Sequence, residues 1–320
     1  MKCINKSLII SLVLIFSIGF TGCGKLEYDL KYNAQSCALF SYASDEEKAD
    51  TFASNLCVTD NGLSEDEYSA KAMGLFDLNN KETIYAKNVH ERLYPASITK
   101  IMTAIVALKY GSLDQILTAS ERIYISESGA QVINLKPGDT MTLSQALHIL
   151  LIYSANDVAN LIAENIGGSI DGFVDIMNDE AYKLGATNTH FKNPHGLSDD
   201  EHYTTVYDLY LIFNEAVKYD VICEIIHMNN YNTTYHNAMG EPVEFECRTT
   251  NLFLRDDYDN KSPSGVTVIG GKTGTTNAAG HCLLLLSKDD SGAPYISVIL
   301  CDSQRETLYS EMSELLEKIN

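Results

Sequence analysis

The sequence predicts an α/β fold of the α+β type, in which one antiparallel sheet is built from both chain ends and flanked by helices. Two extended runs lie near the beginning of the chain, and three more lie near its end. Between them the apolar residues recur with helical spacing, which predicts an inserted, mainly helical lobe. We expect the functional site in the groove between sheet and lobe. The extended runs are 70–78, 82–87, 266–276, 282–287 and 295–301.

The first two runs are joined by residues 79–81 (Asn-Asn-Lys), whose composition favours a turn, so they predict a β-hairpin. A helix is predicted from Ser97 to Tyr110, because five apolar side chains recur there at helical spacing. Pro95 keeps the residue before it extended and so sets where this helix begins. The five apolar residues are Ile98, Ile101, Met102, Ile105 and Leu108.

The middle of the chain predicts a helical region, interrupted by a loop at 193–197. After residue 265 the spacing of apolar residues changes from helical to extended, and the three later strands are predicted to form a meander. A last amphipathic helix is predicted at 306–319. The helices predicted in the middle region are 113–123, 143–153, 157–166, 171–184 and 207–219.

The N-terminus predicts export. Residues 1–22 have the pattern of a signal peptide, since two lysines precede an apolar run that is too short to be a comfortable membrane span. The end of this run resembles a bacterial lipobox, after which Cys23 would be the lipidated first residue of the mature chain. We expect a polar tether at 23–68 and a domain at 69–320. The alternative is an uncleaved N-terminal anchor, and in both cases the domain lies outside the cytoplasm, in the cell envelope.

The composition is that of an acidic globular protein. The 320 residues are 45% apolar and carry a formal net charge of −20. Removal of residues 1–22 takes away two lysines and no acid, so the mature chain would carry −22. This charge disfavours nucleic acid and anionic membrane surfaces as partners.

Six of the eight cysteines would remain besides the lipidated one, namely Cys37, Cys57, Cys223, Cys247, Cys282 and Cys301. Because an exported chain permits disulfides, Cys37 with Cys57 and Cys223 with Cys247 are candidate pairs, and the spacing leaves the connectivity open. The last two cysteines fall in apolar strands, where the default is a small buried side chain. No spacing is typical of a metal site, so we expect neither a metal nor another cofactor.

Ser97 and Lys100 lie three residues apart and therefore share one face of the first helical turn. Lys100 is the only charged residue between Arg92 and Lys109. A lysine in such an apolar run is desolvated, which favours its neutral, basic form. A serine hydroxyl beside a neutral amine is an activated nucleophile. Taken alone, the pattern is more often a helix cap with a lysine that reaches water.

Two further motifs support the catalytic interpretation. Ser154-Ala155-Asn156 stands at the junction of two predicted helices, and Lys272-Thr273-Gly274, followed by Thr275, stands on the first strand of the meander. Alone, the first triplet is usually a turn or cap and the second a glycine-weakened edge strand. In this order, S-x-x-K, S-x-N and K-T-G form the motif set of penicillin-binding proteins and class A β-lactamases.

The chain closely resembles the low-molecular-mass penicillin-binding proteins, which are serine D-alanyl-D-alanine carboxypeptidases. The resemblance covers about residues 70–302 and includes the segments 95–100, 154–157, 193–197 and 271–274. It implies a β-lactamase/transpeptidase-like fold and removal of the terminal D-alanine from peptidoglycan stem pentapeptides. It also implies covalent inhibition by β-lactam antibiotics and a part in cell-wall biogenesis and cell shape.

The resemblance implies how the acyl transfer is divided among residues. Ser97 attacks the carbonyl between two D-alanines, and Lys100 is the general base, kept neutral by burial and by the ammonium of Lys272. Ser154 can relay the proton to the leaving amine, and Asn156 can orient Lys100 or the substrate amide. Water then hydrolyses the acyl-enzyme, and no metal is required.

The K-T-G strand is implied to bind the carboxylate end of the peptide. Lys272 suits the carboxylate by its charge, and Thr273 and Thr275 suit it by their hydroxyls. Backbone N–H groups of Ser97 and Thr275 would form the oxyanion hole. Gly271 and Gly274 would let the substrate approach the strand backbone as an added strand.

Three alternatives stand beside this reading. A class A β-lactamase adds a carboxylate base, whereas residues 186–196 contain no acid, which disfavours fast penicillin hydrolysis. A penicillin-binding sensor is acylated without turnover, but such receptors normally carry transmembrane helices and a cytoplasmic part. A D,D-endopeptidase that cuts cross-links uses the same acyl-enzyme, so the sequence leaves it open.

One departure from the family is plain, since many members continue into a C-terminal β domain and an amphipathic anchor helix. The chain stops about 18 residues after residue 302, so we expect no C-terminal β domain and membrane attachment through the lipid on Cys23. His195, in the loop after Asn-Pro, is expected to be structural more often than catalytic. His281 and Tyr153 receive no role.

Overall fold

The computed structural model describes residues 56–59, 68–258 and 262–320. The predicted signal peptide, Cys23 and most of the predicted tether lie outside these residues. In the part of the chain that the structure describes, no helix is both long and apolar enough to cross a membrane.

Part of the predicted tether lies against the domain. The backbone N–H of Cys57 donates to the Tyr210 hydroxyl at 2.9 Å, and the Tyr207 hydroxyl donates to the Cys57 carbonyl at 2.7 Å. The Cys57 side chain is fully buried. The compact part of the chain therefore includes residues that the predicted boundary at residue 69 leaves out.

Nine strands and seven α-helices are formed by the described residues. The strands are β1 (Ala72–Asp77), β2 (Glu82–Lys87), β3 (Ile116–Thr118), β4 (Thr140–Thr142), β5 (Asn230–His236), β6 (Pro242–Arg248), β7 (Val266–Thr276), β8 (Gly280–Asp289) and β9 (Pro294–Asp302). The helices are α1 (Lys100–Tyr110), α2 (Leu143–His148), α3 (Asn156–Gly167), α4 (Ile170–Lys183), α5 (Val206–Ala216), α6 (Asp220–His227) and α7 (Arg305–Glu317).

The central sheet has five antiparallel strands in the order β2-β1-β9-β8-β7. β1 and β9 are neighbours, with Leu75 opposite Ser297. Strands from both chain ends therefore share one sheet, and the helices between them form the lobe, as predicted. The predicted hairpin, meander and final helix are confirmed.

The sheet is covered on both faces, because successive side chains of a strand point to opposite sides. From β8, Leu284 and Leu286 pack into the larger core with α1, α3 and α5, whereas Leu283 and Leu285 pack with α7. On β1, Phe76 stacks on Tyr210 of α5 with ring centroids 4.3 Å apart. This two-sided burial holds the sheet rigidly beneath the helical lobe.

The predicted helix at 113–123 is wrong. This segment contains β3 and a 3₁₀ turn at Glu121–Ile123. In β3 only Leu117 is buried, opposite Met141 of β4, while both of its neighbours are exposed. Pairing with another strand buries this single side chain, whereas a helix needs an apolar stripe along its length.

A second, four-stranded sheet in the order β3-β4-β5-β6 was not predicted. Its hairpin β5–β6 is made of polar strands in which only Tyr235 and Cys247 are fully covered, so the hydrophobic pattern is weak. Helix α6 was also missed, because its eight residues span little more than two turns.

The candidate disulfide between Cys223 and Cys247 is also wrong. The thiol of Cys247 is in no disulfide, and the Cys223 thiol donates to the Val217 carbonyl at 3.3 Å. The candidate pair of Cys37 with Cys57 is wrong as well, because the Cys57 thiol is free and donates to the Asp77 carbonyl at 3.3 Å; Cys37 itself lies outside the described residues.

Candidate active site

Ser97 lies in a 3₁₀ turn, Ala96–Thr99, immediately before α1. The predicted helix is therefore confirmed, but its first turn is tighter than an α-helix. Two side chains hold this turn. The Thr99 hydroxyl donates to the Ala96 carbonyl at 2.8 Å, and His202 Nε2 lies 2.9 Å from the same hydroxyl. Ala96 itself has a positive φ of 48°, so the turn is strained and depends on these contacts.

His202 acts as a neutral donor in this arrangement. Its Nδ1 accepts from the Lys192 backbone N–H at 3.1 Å, which places the ring proton on Nε2, facing Thr99. Burial lowers the pKa of His202 to about 4, so the ring stays neutral at ordinary pH. The sequence interpretation missed this residue, since nothing in its local pattern points to Thr99.

Lys100 is fully buried beneath Ser97. Its Nζ lies 2.9 Å from Ser97 Oγ, 2.7 Å from Asn156 Oδ1 and 2.6 Å from the His195 carbonyl oxygen. The amide and carbonyl oxygens are acceptors only, so they take two amine hydrogens. The remaining position, a lone pair in the neutral amine, then faces the serine hydroxyl. This is the geometry of a base poised to take the Ser97 proton.

The electrostatics of the site favour the neutral form of Lys100. Burial, followed by the nearby ammonium of Lys272, holds the pKa of Lys100 well below the ordinary value for lysine, and the Asp157 carboxylate opposes this shift. Lys272 is itself almost fully buried, and burial lowers its pKa to about 7. The amines of Lys100 and Lys272 thus share the site. Repulsion between two ammonium groups disfavours the state in which both lysines are protonated.

Ser154 links the second amine to the helical lobe. Lys272 Nζ donates to Ser154 Oγ and to the Thr273 carbonyl, each at 2.9 Å. Ser154 has a left-handed backbone, with φ of 71°, and follows a π-helical turn at Ile149–Tyr153. The predicted helix at 143–153 thus ends in a π turn that points this hydroxyl towards the sheet.

The N-terminus of α3 holds the loop at residues 131–135 through hydrogen bonds. The backbone N–H of Asn156 donates to the Gln131 carbonyl at 2.7 Å. The Asp157 carboxylate accepts from the backbone N–H groups of Ile133 and Leu135, at 3.1 and 3.2 Å. Asn156 is therefore held by its backbone while its side chain contacts Lys100.

Strand β7 forms the opposite wall, close to Ser97. A Cβ atom added to Gly274 would lie 2.9 Å from the Pro95 carbonyl oxygen and 3.1 Å from the Ser97 nitrogen. Glycine is thus required for the close approach of the two backbones. The cleft above them has a volume of about 560 Å³ and is lined by Ser97, Ser154, Thr273 and Thr275 among others.

The hydroxyls of β7 have side-chain partners that the sequence interpretation did not include. Thr250 Oγ1 lies 2.6 Å from Thr273 Oγ1, and His281 Nδ1 lies 3.3 Å from Thr275 Oγ1. Thr250 follows the unpredicted hairpin β5–β6, so no local signal placed it near the K-T-G strand. Tyr153 also lines the cleft, with its ring edge-on to Phe245.

His195 contributes through its backbone. Its Nδ1 accepts from the Leu197 backbone N–H at 3.1 Å, while its carbonyl accepts from Lys100. Burial, and then the charge of Lys100, keep the pKa of His195 well below the usual range. A buried, neutral ring that accepts from its own loop fits the structural role expected for it.

A protein-family model described as D-alanyl-D-alanine carboxypeptidase (peptidase S11) matches residues 59–304. The D-alanyl-D-alanine carboxypeptidase DacF of Bacillus subtilis is 35% identical over 247 residues, which are 74% of this chain and 59% of the relative. The D-alanyl-D-alanine carboxypeptidase DacC of Escherichia coli is 31% identical over 256 residues, which are 77% of this chain and 60% of the relative. The chain thus spans about three fifths of the length of these curated relatives.

The fold is also that of a solved DD-peptidase. The crystal structure of the Streptomyces K15 DD-transpeptidase matches with a TM-score of 0.72 and 25% identity, over 80% of this chain and 98% of that one. This likeness confirms the predicted transpeptidase-like α/β fold. With the family model covering most of its length, the chain belongs to the D-alanyl-D-alanine carboxypeptidase family of serine peptidases, peptidase S11.

Proposed function

We propose that this protein is a serine peptidase that removes the terminal D-alanine from peptidoglycan stem pentapeptides and is acylated by penicillins. The observation that carries the proposal is the contact between Ser97 and the buried amine of Lys100, with Asn156 and the His195 carbonyl occupying the other amine positions. Membership of the family supports the choice of substrate.

In the first half of the reaction, Ser97 Oγ attacks the carbonyl carbon between the two D-alanines while Lys100 takes the hydroxyl proton. The negative charge that develops on the carbonyl oxygen is stabilised by the backbone N–H groups of Ser97 and Thr275. Ser154, bonded to Lys272, relays the proton that Lys100 took from Ser97 to the leaving amine, so Lys100 is neutral again. The C–N bond breaks, D-alanine departs and an ester to Ser97 remains.

In the second half, water attacks the ester and Lys100 again accepts the proton. The peptide leaves one residue shorter, and Ser97 regains its hydroxyl proton. Lys272, Thr273 and Thr275 hold the carboxylate of the departing D-alanine in the first half, by charge and by two hydroxyl donors.

The test is D-alanine release from a synthetic peptide ending in D-Ala-D-Ala, with Ser97→Ala as the control. We expect release by the native chain, no release by the variant, and a penicillin adduct mapped to Ser97. A folded protein that forms this adduct but releases nothing would instead be a penicillin-binding sensor. Cleavage confined to cross-linked wall fragments would identify a D,D-endopeptidase, and rapid turnover of penicillin a β-lactamase.

Acylation by penicillin is expected to slow as pH rises through about 7, the pKa to which burial lowers Lys272. A lysine is charged below its pKa, so the charge that binds the penicillin carboxylate is present at lower pH and lost at higher pH. The measurement is the second-order acylation rate constant between pH 5 and about 9. Lys272→Arg keeps its charge over this range and should remove the decline. A native rate constant that keeps rising above pH 7 would contradict the assignment.

We further propose that residues 1–22 are a signal peptide and that a lipid on Cys23 anchors the protein outside the cytoplasm. The support is the sequence alone, through the short apolar run and the small residues before the cysteine. Cys23→Ser should move the protein from the membrane fraction to the soluble fraction, as measured by immunoblotting. Unchanged membrane attachment would refute lipidation at this position.

A further inference from the structure

His281 lies at the carboxylate end of the proposed site. It is on β8, directly opposite Thr275 of β7, and it is half-buried in the wall of the cleft. Its Nδ1 lies 3.3 Å from Thr275 Oγ1, a long but acceptable hydrogen-bond distance. The reaction sequence described above assigns no part to this ring.

The protonation of His281 Nδ1 determines where the hydroxyl proton of Thr275 points. A carboxylate is an acceptor only, so Thr275 can bind one only by donating its single hydroxyl proton. A ring with an unprotonated Nδ1 would compete for that proton. A ring that carries a proton on Nδ1 would instead donate to Thr275 Oγ1 and leave the hydroxyl proton directed at the substrate.

We propose that His281 is a positioning residue, which donates from Nδ1 to Thr275 and thereby directs the Thr275 hydroxyl to the substrate's terminal carboxylate. The Thr273 hydroxyl has a donor of its own in the same way, since Thr250 Oγ1 lies 2.6 Å from Thr273 Oγ1 and can donate to it. Each hydroxyl of the carboxylate site then has its own donor, one a threonine and one a histidine. The proposal rests on the proposed function and makes the site selective for a free C-terminal carboxylate over an amide.

The test separates binding from chemistry in the full chain. His281→Phe should raise KM for the D-Ala-D-Ala peptide on the order of tenfold, the loss expected for a hydrogen bond to a charged group, with little change in kcat. The activity on the same peptide ending in an amide should change far less. His281→Asn places an amide N–H at the position of Nδ1, so it should restore KM. His236→Phe, an exposed histidine of β5, is the matched control.

A double-mutant cycle tests whether His281 acts through Thr275. If it does, His281→Phe should add little to the loss caused by Thr275→Val. Additive losses, equal losses on the acid and the amide peptide, or a native KM in a folded His281→Phe variant would each overturn the proposal. These outcomes are distinct from failure of the proposed function, in which the native chain itself releases no D-alanine.

Discussion

Lys100→Met is expected to slow the acylation of Ser97 by penicillin by about 10²–10⁴-fold, the usual effect of losing a general acid–base group. Methionine has a similar length and no charge, so it can occupy the buried position of the Lys100 side chain. It lacks the basic amine nitrogen that lies 2.9 Å from Ser97 Oγ in the native site. The hydroxyl then keeps its proton and is a weak nucleophile.

The measurement is the rate of penicillin adduct formation, followed by mass spectrometry, with thermal unfolding to establish that the variant folds. Lys218→Met, a change of the same kind at an exposed lysine on the lobe, is the control and should leave the rate unchanged. Native-like acylation by a folded Lys100→Met variant would rule out Lys100 as the base and direct attention to Lys272 and Ser154.

Gly196→Ala is expected to destabilise the domain by about 2–5 kcal/mol, the sum of left-handed backbone strain and overpacking. Gly196 has a φ of +90°, and an added Cβ would lie 1.8 Å from the Ala96 carbonyl oxygen and 2.9 Å from Thr99 Oγ1. The methyl group would push apart the 3₁₀ turn and the loop that carries the His195 carbonyl. Since the Lys100 contacts depend on both, acylation should fall together with stability.

Urea unfolding and the acylation rate measure the two effects. Gly168→Ala is the matched control, because Gly168 has a φ of +73° and no atom within 4 Å of the added Cβ. It should lose only the backbone contribution, about 1–2 kcal/mol, and keep its activity. Equal destabilisation by both substitutions would mean that contact with Ala96 contributes nothing.

The sequence was most informative where chemistry depends on residue types at short spacing. Ser97 and Lys100 are one turn apart, so their contact follows from the geometry of a helical turn. The strand pattern likewise predicted both halves of the central sheet. It failed for β3 and for the hairpin β5–β6, because short or polar strands have too weak an apolar period to be recognised.

The sequence by itself determined the family, and it predicted Ser97 and Lys100 as nucleophile and base and the K-T-G strand as the carboxylate site. Only the tertiary structure decided what surrounds them. Asn156 and the His195 carbonyl, which contact Lys100, are 56 and 95 residues away in the chain, and Ser154 is 118 residues from Lys272. Burial and hydrogen bonding between such distant residues set the pKa of each amine and the direction of each hydroxyl. Local sequence spacing does not predict these contacts, because they form only when the sheet and the helical lobe pack together.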